Sequence, residues 1–184
     1  MIKRNLPHLK SADSSCPRGP DKKGKKIEKM RDMILKLKKY TFGFDVWGLL
    51  LFIIVMIPNF IWSAVPAPND ILRSGSITEA IDMLASVCQV LMIAALCILR
   101  NKESKKICLS PLIITSAACC LLYYAGWIVY YTGTVNTIVI LALTLPPCLA
   151  FLFFAIDRRN GIAAALITVF TICHLIYGTV NFII

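Results

Sequence analysis

Five long apolar runs, each ended by a short polar break, occupy almost everything after residue 45; they cover roughly residues 46–65, 79–99, 107–131, 137–156 and 162–184. An α-helix rises about 1.5 Å per residue, so about 17–25 apolar residues cross a hydrocarbon core about 30 Å thick. A soluble protein can hide one such helix in its core. It cannot hide five, because each would be apolar all round and too little polar sequence remains to cover them. Composition agrees: 58% of the 184 residues are hydrophobic and the mean hydropathy is +0.72, far outside the range of an ordinary globular domain. The expected fold class is therefore all-α, a polytopic membrane protein with five transmembrane helices over residues 45–184.

The charges are segregated. Lys3, Arg4, Lys10, Arg18, Lys22, Lys23, Lys25, Lys26, Lys29, Arg31, Lys36, Lys38 and Lys39 precede the first run. The loop after that run holds only Arg73, "RNKESKK" holds four cations, "TGTVN" none, and "DRRNG" holds Arg158 and Arg159. Cation-rich and cation-poor loops alternate, which predicts a cytoplasmic N-terminus and an outside C-terminus in a cell membrane. The net charge of +10 then reads as topology signal and contact with anionic lipid headgroups, with no nucleic acid expected as partner. A cleaved signal peptide does not fit: the basic region is too long, the apolar run exceeds an h-region, and Pro68 follows the small residues at Ala67.

Residues 1–26 are rich in Pro, Gly, Ser and Lys and are expected to be disordered. In 27–44, Ile27, Met30, Ile34 and Leu37 recur at helical spacing among lysines, which predicts a basic amphipathic juxtamembrane helix. The eight cysteines show no C-x-x-C and no Cys/His zinc spacing; they read as small apolar packing groups, with no metal and no cofactor implied.

Prolines punctuate the runs. Pro58 is expected to kink the first helix, with Asn59 bonding a freed carbonyl such as that of Ile54. Pro66 and Pro68 end that helix. Asn69 or Asp70 then caps a short turn, and Ser76 with Glu79 forms a capping box for the second helix. Pro146–Pro147 predicts a kink or local unwinding in the fourth.

Polar groups inside the runs are the candidates for function, because an ionisable side chain in a membrane is costly. Asp82, Ser86 and Gln89 share one face of the second helix; Thr171, His174, Gly178 and Asn181 share one face of the fifth. Gln89 and His174 each fall roughly 15 Å below the outer helix ends, at matching depth on antiparallel helices. Tyr123, Trp127 and Tyr130 form an aromatic stripe, whose outermost members suit an interfacial belt. The candidate polar cavity is therefore Asn59, Asp82, Gln89, Tyr123, His174 and Asn181. The competing account makes the same residues helix–helix glue.

No motif for acyl transfer, metalloprotease chemistry or phosphate binding is present, so no catalytic residue is assigned. The sequence points first to a non-enzymatic accessory or interaction subunit, with a larger membrane complex as its partner. A small-solute or proton carrier or channel with an outward-facing cavity comes second, and an intramembrane enzyme third. The segment "FGFDVWGLLLFIIVMIPNFIWSAVPAPNDILR" resembles small multi-pass membrane proteins of bacteria, themselves uncharacterised, with "PNFIW" and "PAPND" as its specific parts. That resemblance implies the membrane class and transfers no activity, cofactor or partner.

Overall fold

A computed structural model of the chain describes residues 25–31, 38–104 and 108–184. The chain divides into a unit Met1–Leu37 and a unit Lys38–Ile184. Most of the tail expected to be disordered, residues 1–24, lies outside the described residues, as does 32–37. In the first unit residues 25–31 are helical, with Ile27 and Met30 exposed.

The juxtamembrane helix expected over 27–44 does not reach its predicted end. Tyr40–Phe42 is instead a strand, β1, paired antiparallel with β2, Leu99–Asn101, in the register Tyr40↔Asn101 and Phe42↔Leu99. Aromatic and β-branched residues favour extended backbone, and the lysine-and-apolar periodicity that signals a helix stops before them.

Five helices follow: α1 Val46–Ala64, α2 Glu79–Ile98, α3 Pro111–Tyr131, α4 Thr137–Asp157 and α5 Gly161–Phe182. Each is long and apolar enough to cross a membrane, and the chain is a multi-pass membrane protein of helical class. The observed bounds match the apolar runs to within a turn. Helix α3 starts late, at Pro111, because proline suits the first helical position while Ser110 accepts the Ile113 N–H as N-cap.

Helix α3 packs along α4, α4 along α5, and α5 along α2. Helix α1 lies against α2 and makes only slight contact with α3 and α4. Its apolar stretch is 17% buried against 56% for α4, so α1 is the loosest wall of the bundle. Small residues set the close approaches: a Cβ on Gly48 would stand 2.9 Å from the Leu96 carbonyl oxygen, and one on Gly126 would stand 3.1 Å from the Ala142 Cβ.

The bundle has two differently built ends. At the hairpin end, Asp45 caps α1 by accepting from the Trp47 and Gly48 amides, and the Arg158 guanidinium donates to it at 2.9 and 3.0 Å. Both side chains of this ion pair are 8% exposed. The α4–α5 turn thus supplies the counter-charge that a buried carboxylate needs. Asn160 caps α5 and donates to the carbonyls of Ala95 and Leu99, so one side chain joins that turn to the end of α2.

At the opposite end a long loop, residues 65–78, crosses from α1 to α2 through a short 3₁₀ turn, Ile71–Arg73. Neither predicted cap holds there. The Asp70 side chain makes no capping bond, and α2 starts after Thr78 with Ser76 accepting the Thr78 amide instead of an α2 amide. Helix α4 runs unbroken through Pro146–Pro147, so the unwinding alternative is overturned; Thr144 and Cys148 back-bond to carbonyls one turn earlier.

Candidate functional site

The site begins with a missing backbone donor. Pro58 has no N–H to give the Ile54 carbonyl one turn earlier. Asn59 was expected to fill that role, but it donates to the Val55 carbonyl at 3.2 Å; the Tyr124 hydroxyl reaches Ile54 at 2.7 Å. Released from that duty, Asn59 Nδ2 also donates to the Tyr123 hydroxyl at 2.8 Å, joining α1 to α3 in the bundle interior.

Around this pair lies a cavity of about 290 Å³ to which all five helices contribute. Asn59 and Met56 come from α1, Gln89 and Met92 from α2, Tyr123 and Trp127 from α3, Thr144 and Phe151 from α4, His174 and Tyr177 from α5. The lining is predominantly apolar with a few polar groups, the usual make-up of a small-molecule site.

Of the six residues the sequence singles out, Asn59, Gln89, Tyr123 and His174 line this cavity. Asp82 does not. It lines a smaller crevice with Ala85, Ser86, His174 and Tyr177, and accepts from the Thr78 hydroxyl at 3.0 Å. His174 and Tyr177 line both spaces, so they stand between the carboxylate and the main cavity. Asn181 lines neither. Its amide donates to the Thr78 hydroxyl at 2.8 Å and accepts the Ile77 N–H at 2.8 Å, holding the end of α5 to the start of α2. Asn181 thus ties helix to helix, as the Asn59–Tyr123 pair also does, while Gln89 and His174 line the cavity without such a bond.

The polar groups of the cavity are unequally satisfied. Thr144 and Cys148 donate within α4. No described residue hydrogen-bonds the Gln89 amide or the His174 ring; the ring instead stacks between Phe170 at 5.1 Å and Tyr177 at 6.1 Å, nearly parallel to both. The Trp127 indole N–H approaches the Tyr123 hydroxyl but makes no bond of acceptable geometry, and it is the one buried side-chain nitrogen or oxygen among the described residues left without a partner. No family model, curated protein or solved structure matches this chain.

The long loop closes one side of it. Trp62 and Leu72 line the cavity, and both are held by Asp70 and its donors. The Asp70 carboxylate accepts from the Trp62 indole at 2.9 and 3.0 Å, the Tyr130 hydroxyl at 2.8 Å and the Arg73 guanidinium at 2.8 Å. Arg73 also lies 4.9 Å above the Trp62 ring and donates to the Trp62 carbonyl, capping the α1 C-terminus with a cation. Burial pushes the Asp70 carboxyl up, but the hydrogen bonds from Trp62, Tyr130 and Arg73 outweigh it and hold the group below the ordinary carboxylate value.

Sequence reasoning placed Trp127 and Tyr130 towards an interfacial belt; both are buried in the bundle, packed edge-on at 5.7 Å. The i, i+4, i+7 spacing with Tyr123 carried the signal, since one face held all three. Tyr177 was missed, although it sits three residues after His174 on the same side. Among the described residues no three His, Cys, Asp or Glu side chains converge as a metal site.

Proposed function

We propose that this protein binds a small molecule inside its membrane-spanning bundle, as a carrier or receptor rather than as a purely structural subunit. The carrying observation is the pair Gln89 and His174. Both line the cavity, and no described residue hydrogen-bonds either of them. Inside a membrane an unsatisfied polar group costs free energy and is retained where a ligand or water completes it. A bundle held together by glue alone has no use for them; Asn181 shows what glue looks like here.

The cations at the hairpin end, Lys38, Lys39, Arg100, Lys102, Arg158 and Arg159, stand against Arg73 at the other. They support a cell-membrane orientation with the hairpin end at the cytoplasmic surface, facing anionic headgroups, and the long loop outside.

The test is co-purification. The protein is extracted in mild detergent, and small molecules are quantified by mass spectrometry for wild type and for the double variant Gln89→Leu/His174→Phe. The expected outcome is a compound bound near stoichiometry in wild type and depleted about tenfold or more in the folded variant. Equal extracts from both contradict the proposal.

A further inference from the structure

Resting on that reading, we infer the chemical class of the ligand: a neutral, planar lipophile bearing hydrogen-bond-accepting carbonyls, of the quinone type. Three features of the cavity lead there.

The first is charge. None of the residues that line the 290 Å³ cavity is Asp, Glu, Lys or Arg. An ion placed there would lose its hydration with no counter-charge to replace it. Of the carboxylates around it, Asp82 is engaged by Thr78 and faces the separate crevice, and Asp70 is engaged by Trp62, Tyr130 and Arg73. The occupant is neutral.

The second is shape. Eight of the 22 lining residues are Phe, Trp or Tyr, although these make up 10% of the chain. One wall carries the near-parallel rings of Phe170, His174 and Tyr177, and another carries Trp62 tilted against Trp127 with centroids 6.4 Å apart. Flat π-surfaces pack most closely on flat aromatic guests, by offset stacking or edge-to-face contact. Met56 and Met92 complete the lining with adaptable, polarisable surface.

The third is hydrogen-bond polarity. The Trp127 indole N–H is itself fully buried and aimed at the Tyr123 oxygen, so the donors that face a guest come from its neighbours. The Tyr123 oxygen already accepts from Asn59, which leaves the phenolic hydrogen free to donate. Tyr123 thus presents a donor from α3 that calls for an acceptor. The Gln89 amide and the His174 ring can donate from α2 and α5. A planar ring with carbonyl oxygens on its edges meets donors on several helices at once; a hydrocarbon meets none.

The experiment is equilibrium dialysis of the full-length protein in lipid nanodiscs, with empty nanodiscs subtracted, against three probes of similar size. These are 2,3-dimethyl-1,4-naphthoquinone, whose blocked ring positions spare the cysteines, 2,3-dimethylnaphthalene, which lacks acceptors, and 2-naphthoate, which is charged. The wild type is expected to bind the quinone about tenfold or more tighter than either of the others. Tyr123→Phe and Gln89→Leu each weaken quinone binding about fivefold or more and leave dimethylnaphthalene unchanged. The three-probe comparison needs no variant, so a misfolded Tyr123→Phe leaves the outcome decidable. Equal binding of dimethylnaphthalene overturns the ligand class while leaving a binding cavity in place, and preference for naphthoate overturns its neutrality. If none of the three binds above empty discs, the ligand class falls; equal extracts in the co-purification comparison would take the cavity reading with it.

Discussion

At the scale of single residues, the protein shows how one proline in a membrane helix is accommodated. Pro58 withdraws a donor from α1, and the vacancy is filled from another helix, by the Tyr124 hydroxyl on the Ile54 carbonyl. In hydrocarbon no water stands in reserve, so the freed carbonyl needs a partner inside the protein. Tyr124→Phe is expected to destabilise the bundle by about 1–2 kcal/mol, and the same change in a Pro58→Ala background by clearly less, because alanine returns the backbone N–H. A double-mutant cycle of unfolding in mixed micelles measures the difference. Equal losses in the two backgrounds would show that Tyr124 and Pro58 are not coupled. Sequence alone shows that Pro58 frees a carbonyl. It cannot show which side chain answers, because Asn59 is nearer in the chain and Tyr124 is nearer in space.

At the scale of elements, the loop from α1 to α2 acts through Asp70. Its carboxylate gathers donors from the end of α1, from α3 and from its own turn, and its side chain is 9% exposed. The charged form is favoured in the folded state, so the folded pKa lies below the unfolded one. The corresponding stability is fully present above the unfolded value, ordinarily near 3.8, and is lost as pH falls through the lower folded value. With Trp47 and Trp127 replaced by Phe, the fluorescence of Trp62 is expected to stay constant from neutral pH down to about 4 and to change only below it. A transition above pH 5 would contradict the anchoring geometry. The loop was legible as proline-terminated and polar. The convergence of three donors on Asp70 was not, because Tyr130 comes from 60 residues away. The same limit hid the hairpin end, where Asp45 finds Arg158 across 113 positions.

At the scale of the whole molecule, the five helices were readable because lipid leaves a chain little choice: backbone groups must be satisfied within each segment, and length fixes how many segments there are. The cavity was half readable. Helical spacing and matching depth brought Gln89 and His174 to one level, and they line the same space. Depth cannot say how far each face is turned, so Asp82 and Asn181, on the same stripes, fell outside it. Nor does any pattern in α1 announce that it packs loosely and leaves room beside α2–α5.

The central claim is that the cavity's polar groups serve a guest, whereas Asn181 serves the fold. The most direct measurement compares the unfolding free energies of ligand-free Gln89→Leu and Asn181→Leu protein under one denaturing condition. Asn181→Leu breaks three observed hydrogen bonds and is expected to lose about 1–2 kcal/mol. Gln89→Leu removes an amide with no described partner and is expected to leave stability unchanged or raise it. If Gln89→Leu destabilises the protein as much as Asn181→Leu does, Gln89 is glue and the account of the cavity as a binding site is contradicted.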